Sequence, residues 1–212
     1  MTDHTVLSVV VGSRAYGLST AESDTDRRGV FVAPTPLFWR LDKPPTHVEG
    51  PLPEQFSWEV ERFCALALAA NPTVLECLWS PLVERATPVG EELRAIRRGF
   101  LSRRALDSFG RYAAHQFRRL DPAAPRWKMA MHLIRLLLSA RHLAVHGEPL
   151  LDMSAHRDRL LALRRGELSW AEVDHWRARL SAGLGADGGP LPESPDLAAV
   201  EAFLTGVRRA HL

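Results

Sequence analysis

The sequence is short of lysine, cysteine and tyrosine, and has no long apolar run. Two cysteines, Cys64 and Cys77, leave no disulfide framework in 212 residues. Both fall in apolar sequence of helical spacing, which predicts buried thiols rather than a bridge or a metal site. No apolar stretch approaches the roughly 18 residues that cross a bilayer, and the N-terminus lacks a basic segment leading into an apolar signal core. The expectation is a soluble, cytoplasmic protein with no membrane partner. Composition is otherwise ordinary, at 46% hydrophobic and 25% charged residues, which disfavours disorder and collagen-like order. No internal repeat is visible.

The basic side is almost entirely arginine, since Lys43 and Lys128 are the two lysines among 27 basic residues. The net charge of +2 conceals an asymmetry: residues 1–93 carry 7 basic and 13 acidic residues, whereas residues 94–182 carry 18 and 8. An acidic front half followed by a basic middle suits a metal site and a polyanion-binding wall, although basic helices are often only solvated.

The order of elements is legible. The β-branched run "TVLSVVVG" ends at Gly12 and "RRGVFVAP" stops at Pro34, so both read as strands. Residues 33–53 read as a long loop without a clear period. In "EQFSWEV" a third strand would put Phe56, Trp58 and Val60 on one face. From "VERFCALALAANPTVLECLWSP" onward apolar positions recur at three and four, with Asn71 as an N-cap before Pro72. Strands first and helices after predict a segregated α+β architecture.

Between the first two strands lies "GSRAYGLSTAESDTD". In an extended chain Asp24 and Asp26 project to the same face, with Thr25 and Arg27 facing away. Two neighbouring carboxylates repel unless a cation joins them, and hard oxygen donors suit Mg²⁺ or Mn²⁺. Gly12-Ser13, directly after a strand, predicts a tight turn whose backbone N–H groups and Ser13 hydroxyl can hold phosphate oxygens. Either element alone is more often plain turn chemistry; the two in this order are far more specific.

The string "GSRAYGLSTAESDTDRRGVFV" resembles the fingerprint of the DNA polymerase β nucleotidyltransferase superfamily, and in particular its RNA repair pathway (RlaP-type) branch. Later stretches, "FSWEVERFCALALAANPTVLECLWSP", "GFLSRRALDSFGRYAAHQ", "KMAMHLIRLL" and "LPESPD", are similar to blocks of that family in the same order. The resemblance implies a small mixed sheet with flanking helices over 1–92, and an all-helical domain over 93–212 closing on the nucleotide. It implies Mg²⁺-assisted attack of a hydroxyl on the α-phosphate of an NTP, with an RNA end as acceptor. Asp24 and Asp26 would hold metal, and Gly12 and Ser13 the triphosphate.

The family's third carboxylate falls at Glu54, where Asp is usual, with Glu59 as the competing candidate. An odd separation puts these two on opposite faces of an unbroken strand, so only one can join the aspartates. On "PRWKMAMHLIRLLL", Lys128, His132 and Arg135 share a helical face at i, i+4 and i+7, opposite an apolar stripe of Met129, Ile134, Leu137 and Leu138. These three are candidate nucleotide ligands, in line with the family's K, H and R at this place. Tyr112 and Gln116, one turn apart, read as packing and stay outside the site. Two rivals remain at this stage: a nucleotide or RNA sensor without turnover, and a nucleotidyltransferase acting on a protein or small-molecule hydroxyl.

Overall fold

A computed structural model of the chain describes residues 4–184 and 189–212. In chain order it has β1 (Thr5–Val11), α1 (Gly12–Ala15), β2 (Asp26–Phe31), β3 (His47–Glu49), β4 (Gln55–Glu59), α2 (Val60–Leu68), α3 (Pro72–Trp79), β5 (Val83–Ala86) and α4 (Pro88–Ala95). There follow α5 (Arg103–Phe117), α6 (Trp127–His146), α7 (Arg157–Arg164), α8 (Trp170–Ser181) and α9 (Leu197–Ala210). It is a mixed α/β protein: a five-stranded mixed sheet with flanking helices, and several more helices in its C-terminal part. The chain groups into two compact units. One comprises the residues up to Ala15, Thr20–Phe100 and Pro195–Leu212; the other comprises Tyr16–Ser19 and Leu101–Ser194.

In the first unit the strand order is β3-β4-β2-β1-β5, with β2 and β4 parallel and the other pairs antiparallel. Strand β1 is buried along nearly its whole length, as its β-branched run requires of a central strand covered on both faces. Strand β2 divides in two: Asp26–Arg28 stay half-open, whereas Gly29–Phe31 are buried. Asn71 caps α3 by accepting from the Val74 N–H at 3.3 Å, with Pro72 at the first helical position, as expected. Helix α9 stays with the sheet: Arg208 pairs with Glu59, and the Thr35 hydroxyl donates to the Arg208 carbonyl at 2.7 Å.

Three expectations are corrected. The stretch 33–53 is not structureless, since it holds a 3₁₀ turn over Thr35–Trp39 and the short strand β3. A three-residue strand is too brief to show a period; its pairing with β4, His47 opposite Trp58, makes it a strand. Phe56 and Trp58 do share a face, in edge contact at 4.9 Å between ring centroids, but Val60 starts α2 because the Glu59 carboxylate caps that helix. Strand β5, inside sequence of helical pattern, is created by pairing along the edge of β1.

The second unit is built on α6. Residues 130–131 and 133–140 of this helix are buried, since α5, α7 and α8 all pack on it. An apolar helix enclosed on every side is the expected centre of such a bundle. Among the described residues no helix is long and apolar enough to cross a membrane.

Cys64 and Cys77 are free and buried, as expected, and burial pushes both thiols up to about 12. A thiol held neutral is a poor nucleophile. At pH 8 the native protein is therefore expected to resist a thiolate-directed label that reacts with both cysteines after denaturation; rapid native labelling would contradict the burial.

Candidate active site

The sheet topology gathers the sequence candidates of the first unit at one end. Strand β1 runs toward Gly12; β2, antiparallel to it, starts there, with Val11 opposite Asp26. Strand β4, parallel to β2, starts at the same end, with Arg27 beside Gln55. Gly12, Ser13, Asp24, Asp26 and Glu54 thus come from three chain segments to one sheet end. The chain turns at Gly12 with φ +71°, a conformation that disfavours side chains. A Cβ there would stand 2.3 Å from the Asp26 Oδ2. The turn is thus fitted against the carboxylate, a stronger reason for glycine than the turn alone.

Asp26 is the first residue of β2; Asp24 lies before the strand, exposed, in a loop held by its neighbours. The Ser23 hydroxyl accepts from the Thr20 N–H at 2.9 Å, while Arg14 donates to the carbonyls of Ser23 at 2.9 Å and Asp24 at 3.2 Å. The alternation continues for the next residue: Arg27 turns to Glu84 of β5, at 3.0 Å. Arg28 Nη2 stands 4.0 Å from Asp26 Oδ1. Asp26 is therefore tempered by a cation of the chain itself, supplied by the "DRR" that opens the strand.

Glu54 lies just before β4 in a left-handed conformation, φ +54°. Its carbonyl accepts from the Arg27 N–H and the Arg28 guanidinium, each at 2.9 Å. Its side chain is exposed. A non-glycine residue held at positive φ is strained, by about 1–2 kcal/mol, and such strain is found at functional positions. Glu59 occupies the other end of β4 and is otherwise engaged: 3% exposed, it takes both terminal nitrogens of Arg208 at 2.9 Å and accepts from the Glu61 N–H at 2.8 Å. Among the described residues no three His, Cys, Asp or Glu side chains stand together as one metal cage. Glu54 is thus brought to the same sheet end as the aspartates without closing a three-carboxylate cluster. The donors still suit Mg²⁺, which is commonly held by one or two carboxylates together with substrate phosphates and water, and the Gly12 turn keeps the Asp26 carboxylate uncovered by a side chain.

The three cations of α6 belong to the second unit and differ among themselves. Lys128 is exposed in the first turn, His132 is half-buried, and Arg135 is 1% exposed with its guanidinium 3.8 Å from the centre of the Tyr16 ring. The helical spacing is as expected, but the row runs into the bundle, because the apolar surroundings expected on one side enclose the helix. Arg135 is held by a cation–π contact in low dielectric. The same unit clasps the rest of Tyr16–Ser19: the Met153 N–H donates to the Tyr16 carbonyl at 3.1 Å, and Arg157 donates to those of Gly17 at 2.8 Å and Ser19 at 3.3 Å. Sequence reading missed Arg14, Arg28 and Arg157, because nothing in a chain with many arginines singles out those that bind backbone carbonyls.

The fit of Gly12 against Asp26 gives a direct test. Gly12→Ala is expected to cost about 1–2 kcal/mol through the backbone conformation and to displace the Asp26 carboxylate, lowering any turnover that depends on that carboxylate roughly a hundredfold. Thermal melting and turnover, measured together, check both.

A Gly-Ser turn and an Asp-x-Asp opening the neighbouring strand, on a mixed sheet with flanking helices, define the class of polymerase-β-like nucleotidyltransferase folds. The chain belongs to the family described as RNA repair pathway DNA polymerase beta family (RlaP), whose match covers residues 2–184. It is also similar to the "Uncharacterized protein YcgL" of Bacillus subtilis (strain 168), 30% identical over 96 residues, which is 43% of this chain and 37% of that protein. The chain thus matches little more than a third of that relative's length. No solved structure matches it. Family membership points to a polymerase-β-like nucleotidyltransferase of RNA repair.

Proposed function

We propose that the protein transfers a nucleoside monophosphate from an NTP to an acceptor hydroxyl, with an RNA end as the acceptor. The observation that carries this reading is the Gly12-Ser13 turn fitted against Asp26, in a chain of this family. In the reaction the acceptor oxygen attacks the α-phosphorus, the bond to the β-phosphate oxygen breaks, and pyrophosphate leaves with the electron pair. Asp24 and Asp26 would hold Mg²⁺ or Mn²⁺. Bound there, the ion supplies charge neutralisation at the α-phosphate and pyrophosphate oxygens. The Gly12-Ser13 turn offers backbone N–H groups and a hydroxyl to the triphosphate. Glu54 is the proposed third carboxylate and would accept the hydroxyl proton. From the helical unit, Lys128 and His132 are proposed phosphate ligands, while the burial of Arg135 on Tyr16 favours a positioning role.

One observation favours a second reading. The exposed side chain of Glu54, outside any three-carboxylate cluster, fits a protein that binds nucleotide or RNA without turning it over. Incubation with each α-labelled NTP in Mg²⁺ or Mn²⁺, against bulk RNA and against total protein, separates the possibilities. Label in RNA supports the proposal, and label in protein alone moves the acceptor to a protein hydroxyl. Label in neither, with NTP still raising the melting temperature, selects the sensor.

A further inference from the structure

The second unit contains a cavity of about 310 Å³, remote in sequence from the Gly-Ser and Asp-x-Asp segments. Its charged walls come from separate elements: Arg141 from α6, His156 from the turn before α7, Arg159 from α7 and Arg179 from α8. Leu138 and Trp176, both buried, line it too. Among the described residues no acidic side chain lines it. Three arginine side chains from three helices thus line one pocket over an apolar floor.

The arginines are also held for use. The Arg159 guanidinium lies 4.1 Å from the centre of the Trp176 ring, and stacking leaves its in-plane N–H groups for another partner. Arg141 is tied by one nitrogen to the Ala182 carbonyl at 2.8 Å, which fixes its direction and leaves the rest of its fork. Among the described residues none of the three has a carboxylate at ion-pair distance. Glu172, whose carboxylate feels Arg159, is committed elsewhere: Ser169 donates to it from both hydroxyl and backbone N–H, closing the cap of α8. Planar forks lining one pocket without a carboxylate partner suit phosphoryl oxygens.

We propose that this cavity is a phosphate-binding site for a single-stranded RNA, gripping a phosphoryl group by Arg141, Arg159 and Arg179. The choice of RNA rests on the proposed function; the anion site itself does not. Phosphate contacts fix the register of a strand without reading its bases, so such a site would hold an acceptor of any sequence.

The test uses the full chain, with no NTP or metal, and a short fluorescent single-stranded RNA titrated by anisotropy at several salt concentrations. With three contacts, each contributing about 0.7 to the salt slope, Arg141→Ala/Arg159→Ala/Arg179→Ala is expected to lower the slope by about 2 and weaken binding at least tenfold at low salt. Arg179→Glu alone, at an exposed side chain, should weaken it without changing the melting temperature. Because this titration contains no NTP or metal, failure of transfer and failure of this site are read separately. Competition by inorganic phosphate would assign the cavity to a terminal monoester, and its absence to an internal phosphodiester. Unchanged affinity and slope in both the triple and the Arg179→Glu variants would overturn the site, whatever the transfer assay gives.

Discussion

Asp24→Asn combined with Asp26→Asn is expected to abolish nucleotidyl transfer while leaving the fold intact. A bound dication contributes several kcal/mol to stabilising charge in such a transition state, so losing its two carboxylates should lower turnover roughly a thousandfold or more. Stability should hardly move. Among the described residues the ion pair lost in the unliganded protein, Asp26 with Arg28 at 4.0 Å, is partly exposed and weak, and pairs of this kind contribute about 0–1 kcal/mol. Binding supplies the contrast. Mg²⁺ with NTP, at about 100 times its dissociation constant, should stabilise the parent by roughly 2.7 kcal/mol, and the double variant by far less. Melting curves with and without ligand, beside a turnover assay, read all of this. A variant that fails to fold would assign the aspartates a structural role, and full activity would remove them from the site.

Arg208→Ala is expected to have the largest effect on stability. Glu59 lies buried at the far end of β4, with both carboxylate oxygens on the Arg208 guanidinium, which also reaches Glu61 at 3.1 Å and lies over the Phe38 ring at 4.1 Å. Removing the arginine strands a buried carboxylate, at a cost of about 3–5 kcal/mol. In a protein of this size that lowers the melting temperature by on the order of 10 °C. Adding Glu59→Gln should recover part of the loss, because the charge that lacked a partner is gone. The same pair sets Glu59 apart from the proposed catalytic carboxylates. Glu59→Gln alone should destabilise the protein, whereas Glu54→Gln should affect turnover with little change in melting. The reverse pattern would exchange their roles.

Much of this protein is set by its sequence alone. The β-branched run of β1, the break at Gly12-Ser13, the aspartates at 24 and 26, and Asn71-Pro72 opening α3 are local signals. Each depends on the preferences of neighbouring residues. The buried thiols follow from apolar patterning in the same way. Parity treated Glu54 and Glu59 as alternatives on one strand, whereas Glu54 lies before β4 at positive φ and Glu59 ends the strand on Arg208.

Other features required the tertiary structure, because they depend on pairings between distant residues. Strands β3 and β5 are too short to carry a period and exist through hydrogen bonds to β4 and β1. The grouping of α9 with the sheet rests on contacts such as Arg208 with Glu59, separated by 149 positions. Helical spacing put Lys128, His132 and Arg135 on one face, but only packing decided that Arg135 is buried on Tyr16 while Lys128 meets solvent. Nor could composition tell which arginines clasp carbonyls, which stack on Trp176 and which remain solvated. An arginine's preference is nearly the same everywhere along a chain; its partner is fixed only when folding brings a carboxylate, a ring or a carbonyl to it.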